Sequence, residues 1–373
     1  MDSSAKVSLF SEYIIKGHRI KNRIVMPPMV CFGWTDDTGF VTENHIKHYE
    51  ARAKGGAGLI ILEALCIRKE GRLADSQLGI WSDKHIDGLK EIADRCHKYG
   101  AIVMGQIHHA GLRAASNVTN DFVAPSDYYK DNEKVARALT IDEIRQIRDD
   151  FVEAALRAQK AGLDGVELHG AHNYLLNQFA SPLVNVREDE YGGSIQSRMK
   201  LACEIIKGIK ETTISNFIIG YRMGGNEPTL ENGIKIAGIL EAAGVDILHV
   251  SSGIQGKEPV LIKSETGEFP FHWIVCCGTE IRKNVKIPVI VVNSIRTPEQ
   301  ASYLIENNLA DFVAIGRAML ADPEWANKAK SNEKINPCRN CTPRCLWFKN
   351  SKYCPALKAL EAEGKTIENT KEE

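Results

Sequence analysis

The chain reads as short apolar runs separated by longer stretches in which apolar residues recur at helical spacing. The runs are 23–27, 58–63, 102–106, 165–169, 217–222, 247–251, 289–293 and 312–316, mostly Val, Ile and Leu. They look buried on both faces, as strands of a parallel sheet are. Between them lie the amphipathic stretches 42–54, 84–99, 140–161, 197–212, 231–243, 272–283 and 298–307, predicted as helices. Gly100, Gly162 and Gly244 stand just past three of these, where helices commonly stop. Eight strands alternating with helices predict an α/β fold, a (β/α)8 TIM barrel rather than an open doubly wound sheet. Two stretches break the rhythm, 111–139 and the Gly- and Pro-bearing 253–271. Both are expected to be long loops at the barrel mouth that shape substrate access.

In such a barrel the C-terminal ends of the strands face one pocket. Here those ends carry Met29, Glu63-Ala64, Gln106, His169, Arg222, Ser251, Asn293 and Gly316-Arg317. Gln106 offers a two-way amide and Arg222 a fixed cation. The turns after the seventh and eighth strands, where barrels commonly bind phosphate, hold Asn293-Ser294 and Gly316-Arg317. Taken singly, a Gln or Arg at a strand end is more often a loop anchor.

Composition narrows the class without naming a reaction. Apolar residues are 43% and charged residues 25% of the 373, with net charge −1. That is an ordinary globular balance, with no basic field to invite nucleic acid or an acidic membrane surface. The N-terminal MDSSAKVSLFSEY lacks the apolar run of a secretory leader, and no run approaches the roughly 20 residues of a membrane span. A cytoplasmic protein is expected, and a homo-oligomer is compatible with everything above.

Ten cysteines divide into two sets. Cys31, Cys66, Cys96, Cys203, Cys276 and Cys277 are scattered in apolar or helical surroundings and are expected to be buried thiols. Cys338, Cys341, Cys345 and Cys354 crowd together as C-x2-C-x3-C-x8-C. In a cytosolic chain such crowding favours a metal site over disulfides. A [4Fe–4S] cluster suits the spacing better than structural zinc, which usually takes two separated C-x2-C knuckles. Zinc and no metal at all stay open. The charged stretch after Cys354 reads as a frayed, solvated helix.

One stretch carries far more information than the rest, DGVELHGAHNYLLNQFASPLVNVREDEYGGSIQSR, residues 164–198. A buried strand runs into His169 and His172, Tyr174 follows, and a Tyr-Gly-Gly-Ser turn precedes a helix near Ile195. The pattern HGAHxYLxxQFxSPxxNxRxDxYGGSxxxR resembles the signature of the old yellow enzymes, FMN-dependent ene-reductases. The resemblance covers roughly residues 5–330 and implies the barrel independently of strand counting. It implies that Pro28, Met29, Ala64, Gln106, Arg222, Asn293, Gly316 and Arg317 form the FMN shell. It also implies that His169 and His172 polarise the activating group of an unsaturated substrate while Tyr174 protonates the α-carbon. A metal pair and plain structural histidines are the alternatives for His169 and His172, with His108-His109 placed on a separate loop. Some relatives carry a redox-tuning cysteine just after the Pro-Met pair. This chain has Val30 there and Cys31 one residue later, so Cys31 is expected to point away.

The cysteine segment resembles the cluster motif that follows the barrel in 2,4-dienoyl-CoA reductase and trimethylamine dehydrogenase. No GxGxxG follows a strand, so no second nucleotide domain is expected. The expected organisation is an FMN-binding barrel over 1–330 and a cysteine segment with its tail over 331–373. NAD(P)H at the mouth, or a protein donor acting through the cluster, would reduce the flavin. The competing readings are an amine dehydrogenase or demethylase of the trimethylamine type and a flavin/iron–sulfur electron carrier. The first needs an aromatic cage, for which Trp34, Tyr49, Tyr128, Tyr129 and Trp273 are the candidates.

Overall fold

The computed structural model describes residues 7–254 and 271–364. Eight parallel strands close into a barrel. In chain order they are β1 (Ile24–Met26), β2 (Leu59–Cys66), β3 (Ile102–His108), β4 (Gly165–Gly170), β5 (Ile218–Gly224), β6 (Ile247–Ser251), β7 (Val289–Val292) and β8 (Phe312–Ala314). Every apolar run expected to be a strand is one. The seven expected helices also form, with ends shifted by a few residues, and Thr140 caps Ile141–Lys160 through a reciprocal capping box with Glu143. Among the described residues no helix is long and apolar enough to cross a membrane.

The barrel interior is layered. Val25, Leu59, Ile61, Met104, Ile218, Ile247, Ile290 and Phe312 fill its lower half with buried apolar side chains, each contributing about 2 kcal/mol on burial. A hairpin, Tyr13–Ile15 with His18–Ile20, closes the N-terminal end and adds Ile15 and Ile20 to that packing. Above the apolar fill the inward positions turn polar. Because side chains alternate along a strand, residues two apart share a face, and β3 sends Gln106 and then His108 inward while β4 sends Glu167 and then His169. Registry aligns Gln106 with Glu167, and Arg222 with both His169 and His249. One polar tier therefore sits directly on the apolar one.

One expectation about the irregular segments changes. Region 111–139 is not a bare loop: Val123–Ala124, Tyr128–Lys130 and Glu133–Ala138 form a three-stranded sheet with Glu133–Ala138 in the middle. Arg137 anchors it by ion pairs to Asp121 and Glu143, so the segment has its own framework. The expected loop 253–271 lies almost wholly outside the described residues.

The C-terminal segment docks on the barrel instead of trailing away. Trp347 is buried, packed edge-on to Trp34 and tilted against His48 with ring centroids 5.7 and 5.5 Å apart. Asn336 donates its side-chain amide to the carbonyls of Ala321 (2.8 Å) and Ala356 (3.0 Å). The helix Pro355–Ala362 begins with the buried Ala356, so the start of the stretch expected to be solvated is held. Of the six scattered cysteines, Cys203 is half-buried and the other five are buried.

Candidate active site

A cavity of about 390 Å³ opens at the C-terminal end of the barrel, within the usual range for small-molecule and cofactor sites. Its lining includes Pro28, Met29, Ala64, Gln106, Arg222, Asn293, Gly316 and Arg317, together with His169, His172 and Tyr174. All eleven residues singled out in the barrel therefore meet at one place. Ala64 reaches the wall through a register shift between Leu62 and Leu65 in β2, a bulge that re-aims the strand end. Cys31 is buried outside the lining while Val30 lines it, as the one-residue offset suggested.

The floor is a carboxylate-centred network. Glu167 accepts from Gln106 Nε2 and from His249 Nδ1, each at 2.8 Å. With its N–H₂ committed to Glu167, Gln106 turns its carbonyl oxygen the other way. Burial lowers the His249 pKa, so His249 donates as a neutral ring. Arg222 is almost fully buried, donates to Ser251 Oγ at 3.4 Å, and has an Nε without a protein partner. A buried guanidinium with an unused donor suits a polar, electron-rich ligand edge.

The opposite wall carries the histidines. His172 and Asn173 both adopt left-handed backbone conformations, φ 63° and 61°, which non-glycine residues adopt at a cost of about 1 kcal/mol each. The turn swings His172 back onto β4, so that its Nδ1 lies 2.9 Å from His169 Nε2. Tyr174 stands edge-on to His169, with ring centroids 4.8 Å apart. Burial pushes both imidazole pKa values well below their ordinary value and raises that of Tyr174. At neutral pH the wall therefore presents two neutral rings and a protonated phenol.

The far end of the cavity is basic. Arg296 and Arg317 both donate to Asn340 Oδ1, at 3.0 and 3.2 Å. Asn293 and Ser294 have left-handed φ of 108° and 56° and shape the turn beneath them. Asn340 belongs to the cysteine segment, and Phe348 from the same segment lines the cavity.

Sequence reasoning missed several members. His108 is not on a separate loop: it ends β3, and its Nδ1 lies 3.1 Å from His169 Nδ1. Period-two spacing from Gln106 would have revealed it, and likewise Glu167 from His169. Arg296 and Phe348 carried no such signal. The five aromatic side chains proposed for a cation cage are dispersed, none lining the cavity. The four clustered cysteines are also not assembled as expected. Cys338, Cys341 and Cys345 are half-buried and Cys354 buried, and among the described residues no three Cys, His, Asp or Glu side chains come together as a metal site.

Comparison with known proteins places this geometry in context. Residues 8–336 match the family described as NADH:flavin oxidoreductase / NADH oxidase. An NADH oxidase of Thermoanaerobacter brockii is 44% identical over 352 residues, covering 91% of this chain and 53% of that protein. The chain thus spans about half the length of that relative. An NADPH dehydrogenase of Halalkalibacterium halodurans is 38% identical over 326 residues, covering 86% of this chain and 93% of that protein. Among solved structures, an old yellow enzyme homologue from Zymomonas mobilis superposes with TM-score 0.73 at 28% identity, covering 89% of this chain and 95% of that one. A 2-naphthoyl-CoA reductase reaches TM-score 0.81 at 24% identity over 92% of this chain and 56% of its own, a likeness of fold alone.

Proposed function

The chain belongs to the NADH:flavin oxidoreductase / NADH oxidase family, and on that footing we propose that it is an FMN-dependent ene-reductase acting on an activated C=C bond, with NAD(P)H as reductant. The observation that carries the reading is the convergence of His169 Nε2 and His172 Nδ1, 2.9 Å apart, beside the Tyr174 ring.

The residues fit the cofactor. Gln106 and Arg222 offer an oriented carbonyl and a buried cation to the pyrimidine edge of a flavin, and Arg296 and Arg317 with the Asn293-Ser294 turn offer a phosphate cradle. Pro28, Met29 and Ala64 supply apolar wall, and Gly316 leaves room at the turn. When bound and reduced by NAD(P)H, FMN supplies the hydride that the β-carbon accepts.

The chain's own groups do the rest. His169 and His172 hold the substrate's carbonyl oxygen and stabilise the negative charge that develops there. Tyr174, protonated at neutral pH, delivers a proton to the α-carbon. The half-open cavity bounds the space available to the substrate. Residues 1–330 act as the FMN-binding unit and 331–373 as an accessory segment. No step is routed through Cys338, Cys341, Cys345 or Cys354, because as placed they do not form a metal site. Iron and acid-labile sulfide analysis of anaerobically purified protein decides that point. About four irons per chain would restore the cluster and a protein electron donor with it.

The test of the main reading is a phenol titration of the FMN-bound protein, wild type against His169→Ala. A phenolate mimics the enolate that the histidines would hold, so the variant is expected to lose affinity. Equal affinity would sink the role. Dispersal of the candidate cage leaves nothing to favour amine oxidation.

A further inference from the structure

His172 and Asn173 hold left-handed backbone between β4 and the helix Leu175–Ala180, and Tyr174 follows at once. Left-handed non-glycine residues persist only where their surroundings over-determine them. The side chains of His172 and Tyr174 hang on either side of Asn173, so whatever fixes that residue's backbone fixes both. The helix that follows has six residues, all buried, and two consecutive ones are the amides Asn177 and Gln178. Fully buried amides cost stability unless their polar atoms are paired.

Their partners account for them. Asn177 Oδ1 accepts from the Asn173 N–H at 2.8 Å, and Gln178 Nε2 donates to the Asn173 carbonyl at 2.6 Å. One residue's backbone is gripped at both ends. A backbone N–H only donates and a backbone carbonyl only accepts, so each amide has a single orientation. With its oxygen committed, Asn177 turns its N–H₂ to Glu227 Oε2. Gln178 is braced on the loop after β3, donating to the Ala110 carbonyl at 3.1 Å and accepting from the Leu112 N–H at 3.3 Å.

Glu227 is buried in the turn after β5, the strand beside β4. Two glycines clear the space for its carboxylate: a Cβ on Gly253 would stand 2.3 Å from Oε2, and one on Gly224 3.1 Å. The same oxygen accepts from the Ile254 N–H at 3.0 Å, and the His172 N–H donates to the Ser252 carbonyl at 3.1 Å. The chain after β6 is therefore tied to the turn once directly and once through Glu227. None of Glu227, Asn177 and Gln178 lines the cavity, so any effect they have on the reaction runs through the turn.

We propose that Glu227 is a positioning residue which, through Asn177 and with Gln178 on the other side, holds the Asn173 backbone left-handed and so sets His172 and Tyr174 against the substrate. The inference rests on the roles given to those two side chains above.

The experiment uses the full FMN-loaded chain. Glu227→Leu keeps a similar volume and removes the acceptor, whereas Glu227→Gln keeps an oxygen for Asn177 and Ile254. Glu227→Leu is expected to lower enone turnover by about 10²-fold, the cost of a misplacement of roughly 1 Å. It should also weaken p-hydroxybenzaldehyde binding about tenfold and leave FMN affinity unchanged. Glu227→Gln should return both readouts to near wild type. A residue that only stabilised the fold would lower the melting temperature of Glu227→Leu and leave turnover per bound FMN and phenol affinity alone. That result overturns the proposal, as does a Gln variant as impaired as the Leu variant. If Glu227→Leu does not retain FMN, Asn177→Ala and Gln178→Ala each open one side of the grip and carry the same readouts with the same expectation. If wild type neither binds the phenol nor reduces an enone, the ene-reductase reading fails. Deuterium exchange at the Asn173 amide then decides the grip: faster in Glu227→Leu than in wild type if Glu227 holds the turn, equal if it does not.

Discussion

The barrel mouth and the C-terminal cysteine segment are adjacent, yet their chemistry is held in different ways. At the mouth each functional side chain projects from a strand end, and the strands are fixed by a closed ladder of hydrogen bonds. In the segment the four cysteines lie on irregular backbone, anchored at Asn336, Trp347 and the helix after Cys354. The first arrangement converges eleven expected residues on one cavity, and the second brings no three ligands together. Strand ends inherit precision from the sheet, whereas a loop motif must take its geometry from the ligand it encloses. The two regions meet where Asn340 bridges Arg296 and Arg317 and where Phe348 enters the cavity.

The contrast can be broken most severely at the mouth. Tyr174→Phe removes the proposed proton donor and should lower turnover of an enone by about 10²- to 10⁴-fold. The rate of flavin reduction by NAD(P)H and the visible spectrum of bound FMN should stay close to wild type. Turnover within a factor of two of wild type would exclude Tyr174 as the acid.

Next in size is acid sensitivity, because the barrel buries several neutral histidines, His169 and His172 among them at the mouth. Burial lowers the pKa of His108 and His109 to about 3 and that of His45 to about 4, and holds those of His169, His172 and His48 well below the ordinary imidazole value. For each, the unfolded chain binds a proton more readily than the folded one. Their stability is fully present above about 6.5 and is lost as pH falls below it, at about 1.4 kcal/mol per unit per histidine. Glu63 and Glu227 act oppositely: burial raises the pKa of each to about 7, so their contribution is lost as pH rises from about 4.5 toward 7. Six histidines outweigh two carboxyls, and the urea midpoint is expected to drop clearly between pH 7 and pH 5.5. A midpoint that rises instead would refute the neutral-histidine picture. The cysteine segment has no histidine of its own between residues 331 and 364, and meets this liability only where Trp347 packs on His48.

Trp347→Ala addresses the segment. Removing a buried indole typically costs about 3 kcal/mol, felt here as undocking of residues after 336 and faster proteolytic cleavage there. The barrel's far-UV dichroism should persist, and cleavage no faster than in wild type would show the segment held by other contacts. The smallest expected effect lies at the junction. Asn340→Ala frees Arg296 and Arg317 from their shared acceptor and should change FMN affinity by about threefold to tenfold. Riboflavin, lacking the phosphate, should bind both forms equally. A matching change for riboflavin would place Asn340's influence elsewhere.

Much of this molecule was determined by sequence alone, for a definite reason. Eight apolar runs with helices between them can bury both faces of every strand only by closing or by double winding, and the 164–198 signature selected closure. Chain order along each strand also told which residues reach the mouth, because the two-residue period permits little else. Tertiary structure decided what these residues do to one another. That His108 addresses His169, that Glu167 turns Gln106, and that Ser251 links His172 to Arg222 are contacts between strands, set by barrel registry and by two left-handed residues after β4. It likewise decided that 123–138 is a sheet and that Trp347 docks under Trp34. Among the described residues the cysteine spacing, the strongest local motif after the signature, is not accompanied by three converging ligands. Spacing constrains distance along the chain, and ligation requires convergence in space.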